Sequence, residues 1–245
     1  MKSFSNFRDI KRKLFIFATI LLFLSYQKVA VSMMGTEDDE ISDVHHVSKM
    51  FPGTSMPNQD WWQLLWPNPK GIILSLGVEP TMVSVDLCCG YGHFTVPLAQ
   101  ASLRTYGLEL NSTLLEKARE ETDHKNIKNC LWIQGDAMKI DSLVPEKADF
   151  ILLANTLHGV PDKENLGKSI FSALKPHGKL AVVNWHKRPR EETIIRGIPT
   201  GPKSEMRMSP LEVEEILRPL GFTLQRTIDF SPYHYGSIFT KETQG

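Results

Sequence analysis

Three cysteines are all that 245 residues contain, and two of them, Cys88 and Cys89, are adjacent. With Cys130 they are too few and wrongly spaced for a disulfide framework or a zinc site. No metal-ligand cluster follows from the sequence. Net charge is missing as well, since 28 Lys+Arg balance 28 Asp+Glu. No global field therefore draws the chain towards nucleic acid. No internal repeat is visible. The most apolar run, Leu14 to Leu24, is short of the roughly 20 residues a membrane span needs.

That run fits the apolar region of a signal peptide. Lys2, Arg8, Lys11, Arg12 and Lys13 precede it, and Ala30-Val31-Ser32 supplies small residues for cleavage. If Lys28 snorkels, residues 14–34 act instead as an uncleaved anchor and associate the chain with a membrane. A start at Met33 or Met34 is the third reading, and it leaves the leader outside the working protein. The location follows the choice: exported or membrane-associated in the first two, cytoplasmic in the third. Residues 35–58 carry Glu37-Asp-Asp-Glu40 and no apolar periodicity, so they read as an acidic, polar linker. His45-His46 within it reads as a solvated pair. Residues 59–245 are left for one domain.

That domain is organised around Val83-Ser-Val-Asp-Leu-Cys-Cys-Gly-Tyr-Gly-His-Phe-Thr95. The β-branched and apolar residues predict a buried parallel strand, followed by a glycine turn and a helix over 93–102. Glycines let the backbone approach a ligand, and the helix start offers free N–H groups. Asp86 at the strand end is poorly placed for a diphosphate and well placed for a ligand carrying ammonium and sulfonium charge.

Before this stretch, Asp60 is expected to cap a short helix whose tryptophans either anchor the core or lid the ligand pocket. A second short helix runs from Pro69 to Leu76, ended by Gly77. After the glycine turn, Arg104 to Leu108 predicts a second strand ending in Glu109. An acid there, about 20 residues past the turn, is placed to accept both hydroxyls of a ribose. Asn111 or Ser112 caps the next helix, which buries Leu114, Leu115 and Ala118. Cys130 to Gln134 is the third strand, with Gly135-Asp136-Ala137 at its end, and Asp149 to Ala154 the fourth. Asp162 caps a helix repeating Leu166, Ile170 and Leu174, stopped by Pro176-His-Gly178 before a fifth strand over Lys179 to Asn184. From Trp185 to Arg207 the sequence predicts a long structureless loop of the kind that serves an active site. Lys187-Arg-Pro-Arg190 within it, followed by Glu191-Glu192, reads as a solvated loop, with an anionic small substrate held by Arg188 or Arg190 as the alternative. Ser209-Pro-Leu-Glu212 opens a helix with a capping box, and two alternating segments over 222–230 and 235–240 pair as the last strands. The sum is an α/β fold: a doubly wound, Rossmann-like, seven-stranded sheet, mostly parallel with an antiparallel terminal strand.

These residues resemble the class I S-adenosylmethionine (SAM)-dependent methyltransferases, closest to the type 11 group that includes the ubiquinone and menaquinone C-methyltransferases. The resemblance spans about residues 61–240. Asp86, Gly90 and Gly92 match the family's first motif, with Cys88 standing where the family has its first glycine. Glu109 matches the ribose-binding acid and Gly135-Asp136-Ala137 the adenine-contacting motif. Asp149 to His158 resembles the fourth motif, which puts Asn155 in the cofactor set. The resemblance implies SAM as methyl donor and an unidentified small-molecule acceptor. A non-catalytic SAM-binding assembly subunit and an NAD(P)-binding Rossmann protein are the alternatives. The latter wants a third glycine where Thr95 stands and has no use for Asp86 or Asp136. The polar-Pro-Pro-aromatic signature of nucleic-acid amino-methyltransferases is absent, since Asn155-Thr-Leu-His158 stands in its place. His158 after the fourth strand and His186 after the fifth are the candidate bases, with Tyr233 and His234 as weaker substrate contacts.

Overall fold

The computed structural model describes residues 59–242. The leader expected over residues 1–34, with the membrane association expected for 14–34, and the linker expected over 35–58 lie outside the described residues. Among the described residues no helix is long and apolar enough to cross a membrane. The chain opens with helices α1 (Gln59–Leu65) and α2 (Pro69–Ser75). Asp60 lies one residue inside α1 rather than capping it. At α2, Asn68 is the N-cap, its side-chain oxygen accepting from the Gly71 N–H at 3.0 Å. There follow β1 (Val83–Leu87), α3 (Thr95–Ala101), β2 (Arg104–Glu109), α4 (Ser112–His124), β3 (Cys130–Gln134), α5 (Ile140–Leu143) and β4 (Ala148–Ala154). The second half contains α6 (Lys163–Ala173), β5 (Leu174–Trp185), β6 (Ile194–Ile195), β7 (Ile198–Pro199), α7 (Pro210–Leu217), β8 (Phe222–Asp229) and β9 (His234–Lys241).

Seven strands form one sheet in the order β3-β2-β1-β4-β5-β9-β8. The first five are parallel, while β9 runs antiparallel to both β5 and β8. The expected doubly wound sheet with an antiparallel terminal strand is therefore present. Every residue of β1 is buried, as befits a strand covered on both faces. Along β4, alternate side chains serve different cores. Ile151 and Leu153 pack with Leu166 and Ile170 of α6 and Val213 and Leu217 of α7. Phe150 and Leu152 pack on the other face with Leu65, Trp66, Ile72 and Ile73 from the α1–α2 region and Leu98 of α3. Each such side chain contributes about 1.5–3 kcal/mol by leaving water.

Two boundaries differ from expectation. α6 stops at Ala173, and Leu174 already pairs with Ala148 of β4. Leu174 keeps the buried position of its apolar repeat but reaches it from a strand. His177 then takes a positive φ of 60° and turns the chain back into the ladder at Lys179, opposite Phe150. The segment after β5 is not structureless either. β6 and β7 form a hairpin whose two-residue turn, Arg196-Gly197, has φ of 51° and 79°, as a hairpin matched to strand twist requires.

α7 carries the expected capping box. Ser209 Oγ accepts from the Glu212 N–H, and the Glu212 carboxylate accepts from the Ser209 N–H at 2.8 Å. Glu212 also bonds Lys187, which fastens the start of the post-β5 segment to this helix. Ser209→Ala should cost about 1 kcal/mol. The check is a lower urea midpoint with an unchanged denaturant slope.

Candidate active site at the carboxyl ends of the strands

The turn after β1 is held by a carboxylate from β2. Glu109, 8% exposed, accepts from the Gly90 N–H at 3.0 Å through Oε2, and from the Leu110 and Asn111 N–H groups at 2.9 and 3.0 Å through Oε1. A carboxylate offers about four acceptor positions, so one is left, on Oε2. Accepting two ribose hydroxyls, as the sequence suggests for Glu109, then requires the Gly90 N–H to give way. The turn itself needs left-handed backbone: φ is 60° at Cys88, 54° at Gly90 and 77° at Gly92. At Gly92 a Cβ would meet the Ala118 Cβ of α4 at 3.0 Å, so glycine lets helix and turn approach. Cys88 accepts the same conformation at the first-glycine position, where strain for a side chain is of order 1 kcal/mol.

Asp86 is 2% exposed and accepts from Thr95 Oγ1 at 2.6 Å. Burial raises its pKa to about 7, opposed by the Thr95 bond and aided by the Glu109 charge. Asp136, after β3, caps a single turn over Ala137–Lys139 by accepting from the Met138 N–H at 3.0 Å. Asp86, Glu109 and Asp136 all act on the Cys88 thiol, whose pKa burial and these charges push well up. The ends of β1, β2 and β3 thus converge as three carboxylates on one point.

A cavity of about 40 Å³ lies there, lined by Trp62, Asp86, Cys88, Cys89, Tyr91, His93, Phe94 and Ala154. Its lining includes Asp86 and Cys88 of the expected set, but not Glu109, Asp136, Ala137 or Asn155. A larger outer cavity of about 480 Å³ shares Trp62, Tyr91 and His93 with it and continues past Trp66 and Lys70 along α3. Of the three carboxylates only Asp86 lines the inner cavity, which is the part of the candidate donor site at the turn after β1. Trp66 is core, packed on Phe94 and His234, whereas Trp62 walls both cavities. The aromatic segment therefore anchors the core through Trp66 and lines both cavities through Trp62. Tyr91 and His93 are lining residues that sequence reasoning missed, since both occupy variable places in the motif. His93 Nε2 stands 3.3 Å from the Trp66 carbonyl.

At the end of β4, Asn155 has φ of 53°, and its buried amide has no hydrogen-bond partner at either end. His158 sits in the short turn Leu157–Gly159 with Nδ1 3.1 Å from Asn184 Oδ1 of β5. That oxygen also accepts the Trp185 N–H at 3.1 Å, so it is an acceptor. His158 therefore carries its proton on Nδ1 and its lone pair on Nε2. Burial drops its pKa to about 4, with the Asn184 bond opposing. It is neutral throughout the physiological range rather than poised near 7. His186 is half-buried, its Nε2 3.4 Å from the Asp229 carboxylate. No hydrogen bond joins it to His158; the charges of both reach His234, which lies between Trp66 and Trp185 with ring centroids 4.1 Å away on each side. Neither His158 nor His186 lines the two cavities described. Among the described residues no group of three or more His, Cys, Asp or Glu side chains is arranged to hold a metal.

A Rossmann-like sheet with an acidic, glycine-turned cleft at its carboxyl edge defines the class I methyltransferase fold, whose methyl donor is SAM. A family profile described as a methyltransferase domain matches residues 79–209, and the chain belongs to that family. It is similar to the demethylmenaquinone methyltransferase of Lactobacillus johnsonii, 29% identical over 142 residues that span 56% of this chain and 55% of that protein. It is similar also to the demethylmenaquinone methyltransferase of Lactococcus lactis subsp. lactis, 26% identical over 162 residues, covering 62% of this chain and 61% of that one. The chain thus spans little over half the length of these relatives. Among solved structures, a SAM-dependent methyltransferase from Aquifex aeolicus aligns with a TM-score of 0.63 at 22% identity, over 73% of this chain and 92% of that one. Magnesium protoporphyrin IX methyltransferase from Synechocystis PCC 6803 aligns at 0.58 and 15% identity, over 78% and 90%. Both likenesses speak for the fold.

The Asp86 pKa gives a signed prediction. Its folded value, about 7, lies above the ordinary 3.8, so the folded state binds the proton more tightly. Stability should fall as pH rises between these values, and the loss is complete above pH 7. Asp86→Asn removes the loss, so thermal melts should show the variant gaining on the wild type as pH rises and holding that gain at pH 8. A wild type whose stability rises over the same interval contradicts the assignment.

Proposed function

We propose that this domain transfers a methyl group from SAM to a small-molecule acceptor. The observation that carries the reading is the convergence of Asp86, Glu109 and Asp136 on the turn after β1. Such a cleft repels a diphosphate and suits a ligand bearing ammonium and sulfonium charge, which favours SAM over a nicotinamide dinucleotide. The residues fit the group in a second way. The buried, unpartnered amide of Asn155 leaves a donor and an acceptor for the amino-acid end of such a ligand, because buried polar groups are rarely left unmet.

SAM, when bound, supplies an already activated methyl group, so the chain's task is alignment and exclusion of water. In this reading Glu109 accepts from the ribose with the capacity that its backbone bonds leave. Asp136 and Ala137 border the adenine. Gly90 and Gly92, with Cys88, bring backbone to the methionine portion, and Asp86 faces its positive charge. Trp62 and Tyr91 keep water out. The named substrate of the relatives, demethylmenaquinone, supports a small organic acceptor. His158, after β4, is the candidate proton acceptor, and His186, after β5 and 3.4 Å from the Asp229 carboxylate, the second candidate.

Two measurements test this. Glu109→Ala should weaken SAM binding by about 1.5–3 kcal/mol, the range for hydrogen bonds to a charged group, and Asp136→Ala by less. Calorimetry showing unchanged affinity in both folded variants defeats the cofactor assignment. His158→Ala should lower turnover by roughly 10²–10⁴ if it removes a general base. Because its pKa of about 4 keeps it neutral, the wild-type turnover should show no histidine limb between pH 5 and 8. A limb there that vanishes in His158→Ala points to a differently tuned ring, and full turnover in the variant makes the residue scaffolding.

A further inference from the structure

The segment after β5 holds a cation where burial is complete. Arg207 is 2% exposed, and its guanidinium lies 5.3 Å from the centre of the Trp185 ring. It donates through Nε to the Pro202 carbonyl at 3.1 Å, through Nη1 to Thr193 Oγ1 at 2.7 Å and through Nη2 to the Thr200 carbonyl at 2.8 Å. All three acceptors are neutral oxygens. A guanidinium has five N–H donors, so two remain, and a buried charge without a counter-ion is costly.

Arg190 is tied to the same residues: its backbone N–H donates to Ser204 Oγ at 2.9 Å and its carbonyl accepts from the Thr193 N–H at 2.9 Å, while the Arg207 backbone N–H donates to the Ser204 carbonyl at 3.2 Å. The charges of Arg188 and Arg190 both bear on Arg207, and exposed Glu191 is the acid that opposes them. Contrary to the solvated loop expected from Lys187-Arg-Pro-Arg190, Arg188 and Arg190 are half-buried. Arg190 Nε is shielded from water and has no hydrogen-bond partner. Clamping the β6–β7 hairpin explains the three bonds of Arg207. It does not explain why two further arginines gather beside it, one with an orphaned donor.

The cluster also has a definite place. It follows β5 at the carboxyl edge of the sheet, where open α/β folds bind ligands, and the Arg207 charge reaches His158. Across that edge the charges are sorted: carboxylates at the ends of β1, β2 and β3, guanidiniums after β5. A cationic methyl donor explains one half of this pattern.

We infer that Arg188, Arg190 and Arg207 form a receptor for an anionic group, a carboxylate or a phosphate, carried by the methyl acceptor. The inference rests on the methyl-transfer reading and adds the charge of the substrate to it. Arginine forks match both anions bidentately, and a phosphate or carboxylate there supplies the missing partners for the orphaned donors.

The experiment uses the full chain, SAM labelled with tritium in its methyl group, and a metabolite extract of the source cells split on an anion-exchange resin. Label should enter the retained, acidic fraction. Phosphatase treatment of the labelled product tells the two anions apart: a phosphorylated product moves to the unretained fraction on a second pass, a carboxylic acid stays. Both outcomes support the receptor. With the retained fraction as substrate, Arg188→Gln/Arg190→Gln should raise the apparent KM for acceptor about tenfold and leave the KM for SAM within about twofold. The arginine clamp of Arg207 is intact in this variant, so the fold is not at stake. Label confined to the unretained fraction without phosphatase overturns the receptor while keeping the transferase. An unchanged acceptor KM in the double variant overturns it as well. Label in neither fraction removes the methyl-transfer reading itself, and this inference with it.

Discussion

The bond from the Gly90 N–H to the Glu109 carboxylate is the contact on which the site depends. It joins the turn after β1 to the end of β2, and the other carboxylate oxygen holds the Leu110 and Asn111 N–H groups that lead into α4. The Gly90 N–H is buried and would cost about 1–3 kcal/mol unpaired, while the Leu110 and Asn111 N–H groups lie nearer solvent. With Glu109 present they are met, and the left-handed turn at Cys88, Gly90 and Gly92 is held against its own strain. One side chain therefore holds the turn in shape and adds its charge to those of Asp86 and Asp136.

That charge has consequences along the whole edge. Asp86 cannot be relieved by an opposite charge within the cleft, so burial and the Glu109 field leave its proton balanced near neutrality. Towards β5 the polarity reverses, with His158 kept neutral by burial and by the cations Lys163 and Arg207. The chain as a whole is neutral, yet the working edge is a dipole. Composition averages away a separation that only the strand order β2-β1-β4-β5 brings into one line.

Much of this was legible beforehand. The strand–glycine–helix stretch announces itself because β-branched runs and glycines carry strong local meaning, and the capping box at Ser209 and Glu212 was readable for the same reason. Boundaries blurred where one residue served two patterns, as Leu174 did when it completed a helical repeat yet began a strand. The hairpin at Arg196-Gly197 went unread since an arginine with positive φ lacks the usual Asn or Asp. The roles of Tyr91 and His93 were hidden because motif spacing says which positions must be small, not what fills the others. Burial of Arg188 and Arg190 was beyond local pattern altogether: next to Glu191-Glu192 they look solvated, and the fold sets them near Arg207, far along the chain, against the repulsion of like charges.

The two cysteines of the turn bring the electrostatics back to chemistry. A methyl donor with a sulfonium centre is an alkylating agent, and a thiolate is among the strongest nucleophiles a protein can offer. Cys88 and Cys89 stand in the wall of the inner cavity, where, in the reading proposed above, a thiolate would lie beside such a donor. Burial and the surrounding carboxylates push both pKa values well up, so the sulfurs stay as thiols. In the reading proposed above, the same acidic field that attracts the cationic donor also disarms the nucleophiles beside it. A cysteine can then replace the family's first glycine at a modest backbone cost, because burial, aided by the neighbouring carboxylates, keeps its sulfur a thiol.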